Sequence, residues 1–104
     1  MFTFSQAMDK LNGKFRRKLE NNTYLVMINP NQIAVKLHNT YVVTINSNDT
    51  YELNNGGFKT TTTKDRINKY SPARIYQQKF IWYLNPSTEF FNGVKLDVSG
   101  NILK

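Results

Sequence analysis

The residues best suited to chemistry lie in the middle of the chain, between Asn54 and Tyr70. This segment holds two adjacent glycines, four consecutive threonines and four cationic side chains. Threonine hydroxyls and the free N–H groups at the start of a helix bind phosphate, and nearby cations strengthen that binding. We therefore predict an anion site whose ligands are Lys59, Thr61, Thr62, Thr63, Lys64 and Arg66.

The same segment also has a purely structural interpretation. Gly56 and Gly57 do not form a P-loop, because the spacing G-x-x-x-x-G-K-[ST] is absent. The glycines could instead make a turn with positive φ, and the threonines could pair in a sheet. Both interpretations stay open at this point, and they differ in whether the hydroxyls and cations converge in space.

A second basic group lies in Lys14 to Leu19, a predicted strand or irregular link, and it includes Arg16 and Arg17. We predict that these two residues and Lys69 widen the basic surface for a phosphate backbone. The stacking candidates for unpaired bases are Tyr24, Tyr70 and Tyr76. The alternative is a solvated edge strand whose charges prevent strand-to-strand aggregation. The aromatic residues Phe80, Trp82 and Tyr83 are assigned to the core, because a small β-rich domain needs such side chains to fill it.

The charge of the chain favours a polyanionic partner. Its formal net charge is +7, from 14 Lys plus Arg against 7 Asp plus Glu. Such a balance is typical of proteins that bind nucleic acid or a nucleotide. The chain also contains many Asn and Lys residues, a composition that an AT-rich genome produces without any functional demand.

Few residues suit catalysis. His38 is the only histidine, there is no cysteine, and no G-x-S-x-G nucleophile motif is present. We place His38 on the polar face of a strand as a surface residue, and we predict no catalytic residue, metal or cofactor. A binding protein is therefore favoured over an enzyme. A small metal-dependent nuclease, using carboxylates such as Asp49, Glu52 and Asp65, is the less favoured alternative.

The length and hydropathy predict one soluble domain. A chain of 104 residues supports a single core, so residues 1–104 are expected to form one globular domain. No apolar run reaches the roughly 20 residues of a transmembrane helix, and the N-terminus lacks the order of a signal peptide. We expect an intracellular protein without a membrane partner.

The apolar patterning predicts an α+β fold: a small antiparallel sheet, built from a meander and C-terminal hairpins, with two short helices. Ser5 is the expected N-cap of the first helix, which ends at Asn12-Gly13. Thr62 or Thr63 is expected to cap the second helix, which ends before Ser71-Pro72. The predicted strands and strand-like links cover residues 14–19, 23–28, 33–38, 41–46, 51–53, 74–78, 80–84, 94–98 and 102–103.

Four sequence blocks resemble a widespread family of small proteins from tailed bacteriophages. The blocks are Asn21–Leu25, Ile33–Thr40, Val42–Thr44 and Gly56–Asn68, and the similarity covers about residues 14 to 84. The resemblance implies a phage protein that acts in the cytoplasm of the infected bacterial host. It further implies either nucleic-acid handling or interference with host defence, for example an anti-CRISPR inhibitor that binds a host immune effector. A host defence protein is thus the alternative partner to nucleic acid.

Overall fold

The computed structural model describes residues 1–84 and 88–103, and it confirms the predicted α+β class. Within these residues, two helices and ten strands follow one another along the chain. Their bounds are α1 (Phe4–Leu11), β1 (Arg16–Glu20), β2 (Thr23–Asn29), β3 (Gln32–Leu37), β4 (Thr40–Asn46), β5 (Tyr51–Leu53), α2 (Thr61–Tyr70), β6 (Tyr76–Gln78), β7 (Ile81–Leu84), β8 (Thr88–Glu89), β9 (Val94–Leu96) and β10 (Ile102–Leu103).

The strands form two antiparallel sheets. The larger sheet has the order β1-β2-β3-β4-β5-β9-β10. The predicted meander had three to four strands, and the observed meander has five, β1 to β5. The smaller sheet has the order β6-β7-β8 and contains the predicted hairpin around Lys79. The predicted turn at residues 85–88 falls mostly outside the described residues.

The alternation of side chains along each strand decides which face of the large sheet is buried. One cross-strand row on the core face consists entirely of aliphatic residues that no solvent reaches. Its members follow one another in register across five strands: Leu25, Val35, Val43, Leu53 and Val94. Both helices add apolar residues to the same core, α1 through Ala7 and Leu11 and α2 through Ile67 and Tyr70.

The first helix begins earlier than its sequence indicated. The N-cap is Thr3 rather than Ser5, because Thr3 and Gln6 form a capping box. The Thr3 hydroxyl accepts the Gln6 N–H at 3.2 Å, and the Gln6 side-chain oxygen accepts the Thr3 N–H at 2.9 Å. The predicted end at Asn12-Gly13 is confirmed, with Asn12 in the left-handed conformation.

The second helix also begins earlier than predicted. Thr60 is its N-cap, not Thr62 or Thr63, and the Thr60 hydroxyl accepts the Thr63 N–H at 3.1 Å. The threonines after Thr60 form the first helical turn, so the alternative in which they pair in a sheet is wrong. The helix ends at Tyr70 as predicted.

Two side chains occupy turns rather than the strands predicted for them. His38 lies in the β3–β4 turn with φ of 53°, not on the polar face of a strand. Phe80 lies in the β6–β7 turn with φ of 68° and is 86% exposed, so its assignment to the core is wrong. Residues of a two-residue hairpin loop adopt turn conformations, so their side chains do not lie on either face of the sheet. Trp82 and Tyr83 follow the prediction more closely, since Trp82 is buried and Tyr83 is half-buried.

In the part of the chain that the structure describes, neither helix combines the length and the apolar character needed to cross a membrane.

Candidate functional site

A cleft of about 600 Å³ lies at the end of the large sheet where α2 begins. Three chain segments surround it besides the first turn of α2: the β1–β2 turn, the β3–β4 turn and the loop that follows β5. The lining residues are Asn22, Leu37, His38, Asn39, Thr40, Val42, Asn55, Phe58, Thr60, Thr62 and Thr63. Most of these side chains are amides, hydroxyls or apolar groups.

The two hairpin turns of the cleft are tied to each other. The backbone N–H of His38 donates a hydrogen bond of 3.0 Å to the carbonyl of Asn22. Both residues have positive φ, a conformation that Asn adopts more readily than most residues. This bond holds the His38 side chain beside the start of α2.

The loop after β5 packs tightly on the β3–β4 hairpin. Gly56 has φ of 63°, and a Cβ at this position would lie 2.4 Å from the Thr40 hydroxyl oxygen. The N–H groups of Gly56 and Gly57 donate to the side chains of Asn54 and Asn55 at 2.7 and 2.8 Å. The glycine pair is therefore a turn whose N–H groups are already occupied, and it does not form a phosphate cradle by itself.

The open donors of the cleft belong to the first turn of α2. The first four N–H groups of an α-helix have no partner within the helix. Here Thr60 satisfies two of them, through its hydroxyl to the Thr63 N–H and its carbonyl to the Lys64 N–H at 3.1 Å. The N–H groups of Thr61 and Thr62 have no acceptor within residues 1–84 and 88–103. The turn carries no acidic side chain, so the positive end of the helix dipole is not neutralised there.

Five of the six predicted phosphate ligands lie at or next to this cleft. Thr62 and Thr63 line it, although Thr63 is buried and its hydroxyl lies 3.0 Å from that of Thr60. Thr61 is exposed on the same helical turn, and Lys64 follows Thr63 directly. Lys59 is exposed at the end of the loop, between Phe58 and the N-cap.

Arg66, the sixth predicted ligand, does not line the cleft. Its Nη2 atom lies 3.3 Å from a carboxylate oxygen of Glu20, and its Nε donates to the Thr23 hydroxyl at 2.9 Å. It also forms an ion pair with Asp65. The guanidinium is thus engaged at the β1–β2 hairpin, and the structure does not bring it together with the threonines.

Lys69 and Tyr70 converge on the same Glu20 carboxylate. Lys69 donates to it at 3.0 Å, and the buried Tyr70 hydroxyl donates to it as well. These hydrogen bonds, Tyr70 first, lower the pKa of the Glu20 carboxyl, while burial and the bond to Glu20 raise the pKa of Tyr70. The Tyr70 ring is stacked on Phe2 with centroids 5.9 Å apart, and neither Lys69 nor Tyr70 lines the cleft.

The remaining predicted residues lie on other surfaces. The Arg16 guanidinium lies over the Tyr24 ring, 4.0 Å from its centroid. Arg17 points to the opposite side of β1 and donates to the Lys10 carbonyl at 3.0 Å. Tyr76 is 39% exposed on the smaller sheet and stacks on Tyr83, with ring centroids 5.6 Å apart.

Several cleft residues were not among the predicted ligands. The amides come from turns that the sequence marks only as chain reversals, and Phe58 follows the glycine pair. Asn55 is buried beneath the loop, where its backbone N–H donates to the Asn92 side chain at 2.8 Å. The sequence showed the clusters of Asn and Gly at these turns. It did not show that the turns lie next to the start of α2 in the folded protein. No group of three or more His, Cys, Asp or Glu side chains positioned to hold a metal occurs in the described residues.

These observations define a small α+β protein in which two antiparallel sheets and two helices contribute to the core and a polar cleft lies at the start of α2. Residues 3–97 match the family described as Kyanoviridae Gp96 protein, and the chain belongs to this family of bacteriophage proteins. The phage origin implied by the resemblance is thereby confirmed. No curated protein and no solved structure matches the chain.

Proposed function

We propose that the protein is a non-catalytic binding domain that takes up a nucleotide phosphate in the cleft at the start of α2. The observation that carries this proposal is the pair of N–H groups on Thr61 and Thr62, which lack acceptors among the described residues beside a cleft of about 600 Å³. Helix N-termini with free N–H groups are common sites for phosphate oxygens.

The chemistry of the first turn of α2 supports an anion. The Thr62 hydroxyl is an additional donor at the cleft wall, and the turn has no carboxylate that would repel a phosphate. Lys59 and Lys64 flank the turn in sequence and add positive charge near it. Salt screens the attraction between exposed lysines and a phosphate, so nucleotide binding should weaken as the salt concentration rises.

The rest of the cleft supports a nucleotide rather than phosphate alone. Its volume lies within the roughly 300–1,000 Å³ typical of small-molecule sites. Leu37 and Val42 provide apolar lining, and the ring of Phe58 is 63% exposed at the loop. An exposed ring of this kind can stack on a base, a contact that contributes about 1–3 kcal/mol per base.

The lining residues also support binding without turnover. His38 is the one titratable side chain among them, and no carboxylate or thiol lines the cleft beside it. General acid-base or nucleophilic catalysis needs a positioned partner for such a histidine.

A calorimetric titration with mono-, di- and cyclic nucleotides and with inorganic phosphate tests the proposal. Thr62→Val removes the hydroxyl at the cleft and keeps a β-branched side chain, and we expect about tenfold weaker nucleotide binding. Thr61→Val is the matched control on the same turn, because Thr61 does not line the cleft. The proposal is wrong if the wild type binds none of these ligands or if both variants lose affinity equally.

A second titration series tests the role of charge. Lys64→Ala should weaken binding of a nucleotide and reduce its dependence on salt, whereas Lys79→Ala removes a cation from the distant β6–β7 turn and should change neither. Equal effects of the two substitutions would show that net charge, rather than this cleft, attracts the ligand.

The β6–β7 turn supports a second candidate function, inhibition of a host immune effector. Phe80 is 86% exposed and has φ of 68°, a conformation that is strained for a bulky residue. An exposed aromatic side chain at a hairpin tip is a suitable anchor for a pocket on a partner protein.

Plasmid transformation into cells with an active CRISPR system tests this second candidate. Expression of the wild-type protein should restore transformation by a targeted plasmid. Phe80→Gly relieves the strained turn and should abolish this effect, while Phe91→Ser, which changes another exposed aromatic residue, should retain it. A wild-type protein that leaves interference intact would rule out CRISPR inhibition.

A further inference from the structure

The register of the large sheet places four side chains of alternating chemistry in one row. Lys18 pairs with Tyr24, Tyr24 pairs with Lys36, and Lys36 pairs with Tyr41. Side chains of directly paired residues lie on the same face, with Cβ atoms about 4.5–5.5 Å apart. The row therefore reads cation, aromatic, cation, aromatic across β1 to β4.

This row lies on the face opposite the core. Leu25, Val35 and Val43 form the adjacent row on the core face and are fully inaccessible to solvent. A register shift between Val35 and Lys36 places Tyr41 opposite Lys36, two residues before Val43. In contrast, Lys18 is exposed, Tyr41 is 41% exposed, and Tyr24 and Lys36 are half-buried. Both helices contribute their apolar residues to the core on the other side of the sheet.

Arg16 lies on β1 two residues before Lys18, so the two side chains share one face of the strand. Its guanidinium carbon lies over the Tyr24 ring, 4.0 Å from the ring centroid, in a cation–π contact. Guanidinium groups are also surfaces on which unpaired bases stack. The edge strand thus offers a stacking surface as well as charge.

The charges of this face are not neutralised locally. Within residues 1–84 and 88–103, none of Arg16, Lys18 and Lys36 forms an ion pair. The carboxylate of Glu52 lies on the same face farther along the sheet, where it is directly paired with Lys95. A polyanion is therefore the partner that this end of the face attracts.

We propose that the outer face of β1 to β4 binds single-stranded nucleic acid through Arg16, Lys18, Tyr24, Lys36 and Tyr41. Unpaired bases expose the flat surfaces that stack on aromatic rings and guanidinium planes, and the cations between the rings contact phosphates. Tyr24 and Tyr41 are two strands apart, about 10 Å, so they contact bases that are not stacked on each other. A duplex hides its base faces and offers this surface only its phosphates.

This site is independent of the nucleotide cleft, because none of its residues lines that cleft. Because Tyr41 lies between the cleft residues Thr40 and Val42, nucleotide binding is measured alongside single-strand binding for each variant. Thr62→Val should leave single-strand binding unchanged, and Tyr41→Ala should leave nucleotide binding unchanged.

Fluorescence anisotropy with a labelled single-stranded 12-mer, as DNA and as RNA, and with the matching duplex tests the proposal. We expect the wild type to bind a single strand more tightly than the duplex, with an affinity that falls as salt rises. Tyr41→Ala should weaken single-strand binding roughly 5- to 100-fold, while Tyr41→Phe, which keeps the ring, should bind like the wild type. Lys36→Ala should reduce the slope of affinity against salt by about one.

Tyr76→Ala is the matched control for loss of a tyrosine, because Tyr76 has a similar exposure on the smaller sheet. It should leave the affinity unchanged. The proposal is overturned if the single-stranded oligonucleotides do not bind at low salt, if the duplex binds as tightly, or if Tyr76→Ala and Tyr41→Ala have equal effects. Circular dichroism of each variant verifies that the fold is intact.

Discussion

The hydroxyl of Tyr70 donates a hydrogen bond to the carboxylate of Glu20, and this bond joins the last residue of α2 to the last residue of β1. The same carboxylate accepts a hydrogen bond from Lys69 and lies 3.3 Å from the Arg66 guanidinium. The second half of α2 is thereby held against the edge hairpin. Its first turn is left free to line the cleft.

We predict that Glu20→Gln lowers the free energy of unfolding by about 1–3 kcal/mol at pH 7, because three donors lose a charged acceptor. Tyr70→Phe keeps the ring stacked on Phe2 and removes one donor. It should therefore lower the free energy of unfolding by less than Glu20→Gln does. Urea denaturation at pH 7 measures both changes. Glu52→Gln is the control, since that carboxylate lies outside this cluster; equal losses from Glu52→Gln and Glu20→Gln would contradict the prediction.

The pH dependence of stability follows from the direction of the Glu20 shift. The pKa of Glu20 is lower in the folded protein than its ordinary value of 4.5. Its contribution is therefore present above about pH 4.5 and is lost as the pH falls through the folded-state pKa. We expect Glu20→Gln to lose less stability than the wild type between pH 5 and strongly acidic pH, measured by denaturation at several pH values. If the stability of the two proteins changed equally with pH, the Glu20 carboxylate would not be the source of this pH dependence.

Replacement of the two adjacent glycines by alanine should have unequal effects. Both glycines have positive φ, which costs an alanine about 1 kcal/mol. A Cβ at Gly57 meets no atom within 4 Å, whereas a Cβ at Gly56 would lie 2.4 Å from the Thr40 hydroxyl oxygen. We expect Gly56→Ala to cost about 1–3 kcal/mol more than Gly57→Ala. Thermal denaturation compares the two variants.

A double substitution identifies the cause of that difference. Thr40→Ala removes the hydroxyl and the methyl group nearest to the added Cβ, so the pair Gly56→Ala and Thr40→Ala should be more stable than additivity predicts. Strict additivity would mean that the steric contact with Thr40 is not the cause.

The capping residue of α2 gives a further prediction. Thr60→Ala removes the acceptor of the Thr63 N–H and should reduce the free energy of unfolding by about 1 kcal/mol. Thr60→Ser keeps the hydroxyl and should stay within a few tenths of a kcal/mol of the wild type. Urea denaturation of both variants tests this assignment, and a Ser variant as unstable as the Ala variant would contradict it.

The sequence by itself determined most of the secondary structure and the fold class. Alternating apolar residues from Ile33 onward, and Asn, Gly and Pro at the chain reversals, predicted the meander and its turns because these signals are local. Helix starts were less well predicted. Thr3 and Thr60 cap their helices through side chains that reach three residues ahead, and several neighbouring hydroxyls fitted the same role.

Only the tertiary structure decided which of the predicted ligands lie together. Thr62 and Lys64 share the start of α2, but Arg66, two residues after Lys64, turns to Glu20, which lies far away in the sequence. Similarly, the register of the sheet brought Lys36 and Tyr41 into one row with Tyr24. The reason is physical: residue types and spacing specify local hydrogen bonds, whereas the partner of a long charged side chain depends on which strands and turns packing places within its reach.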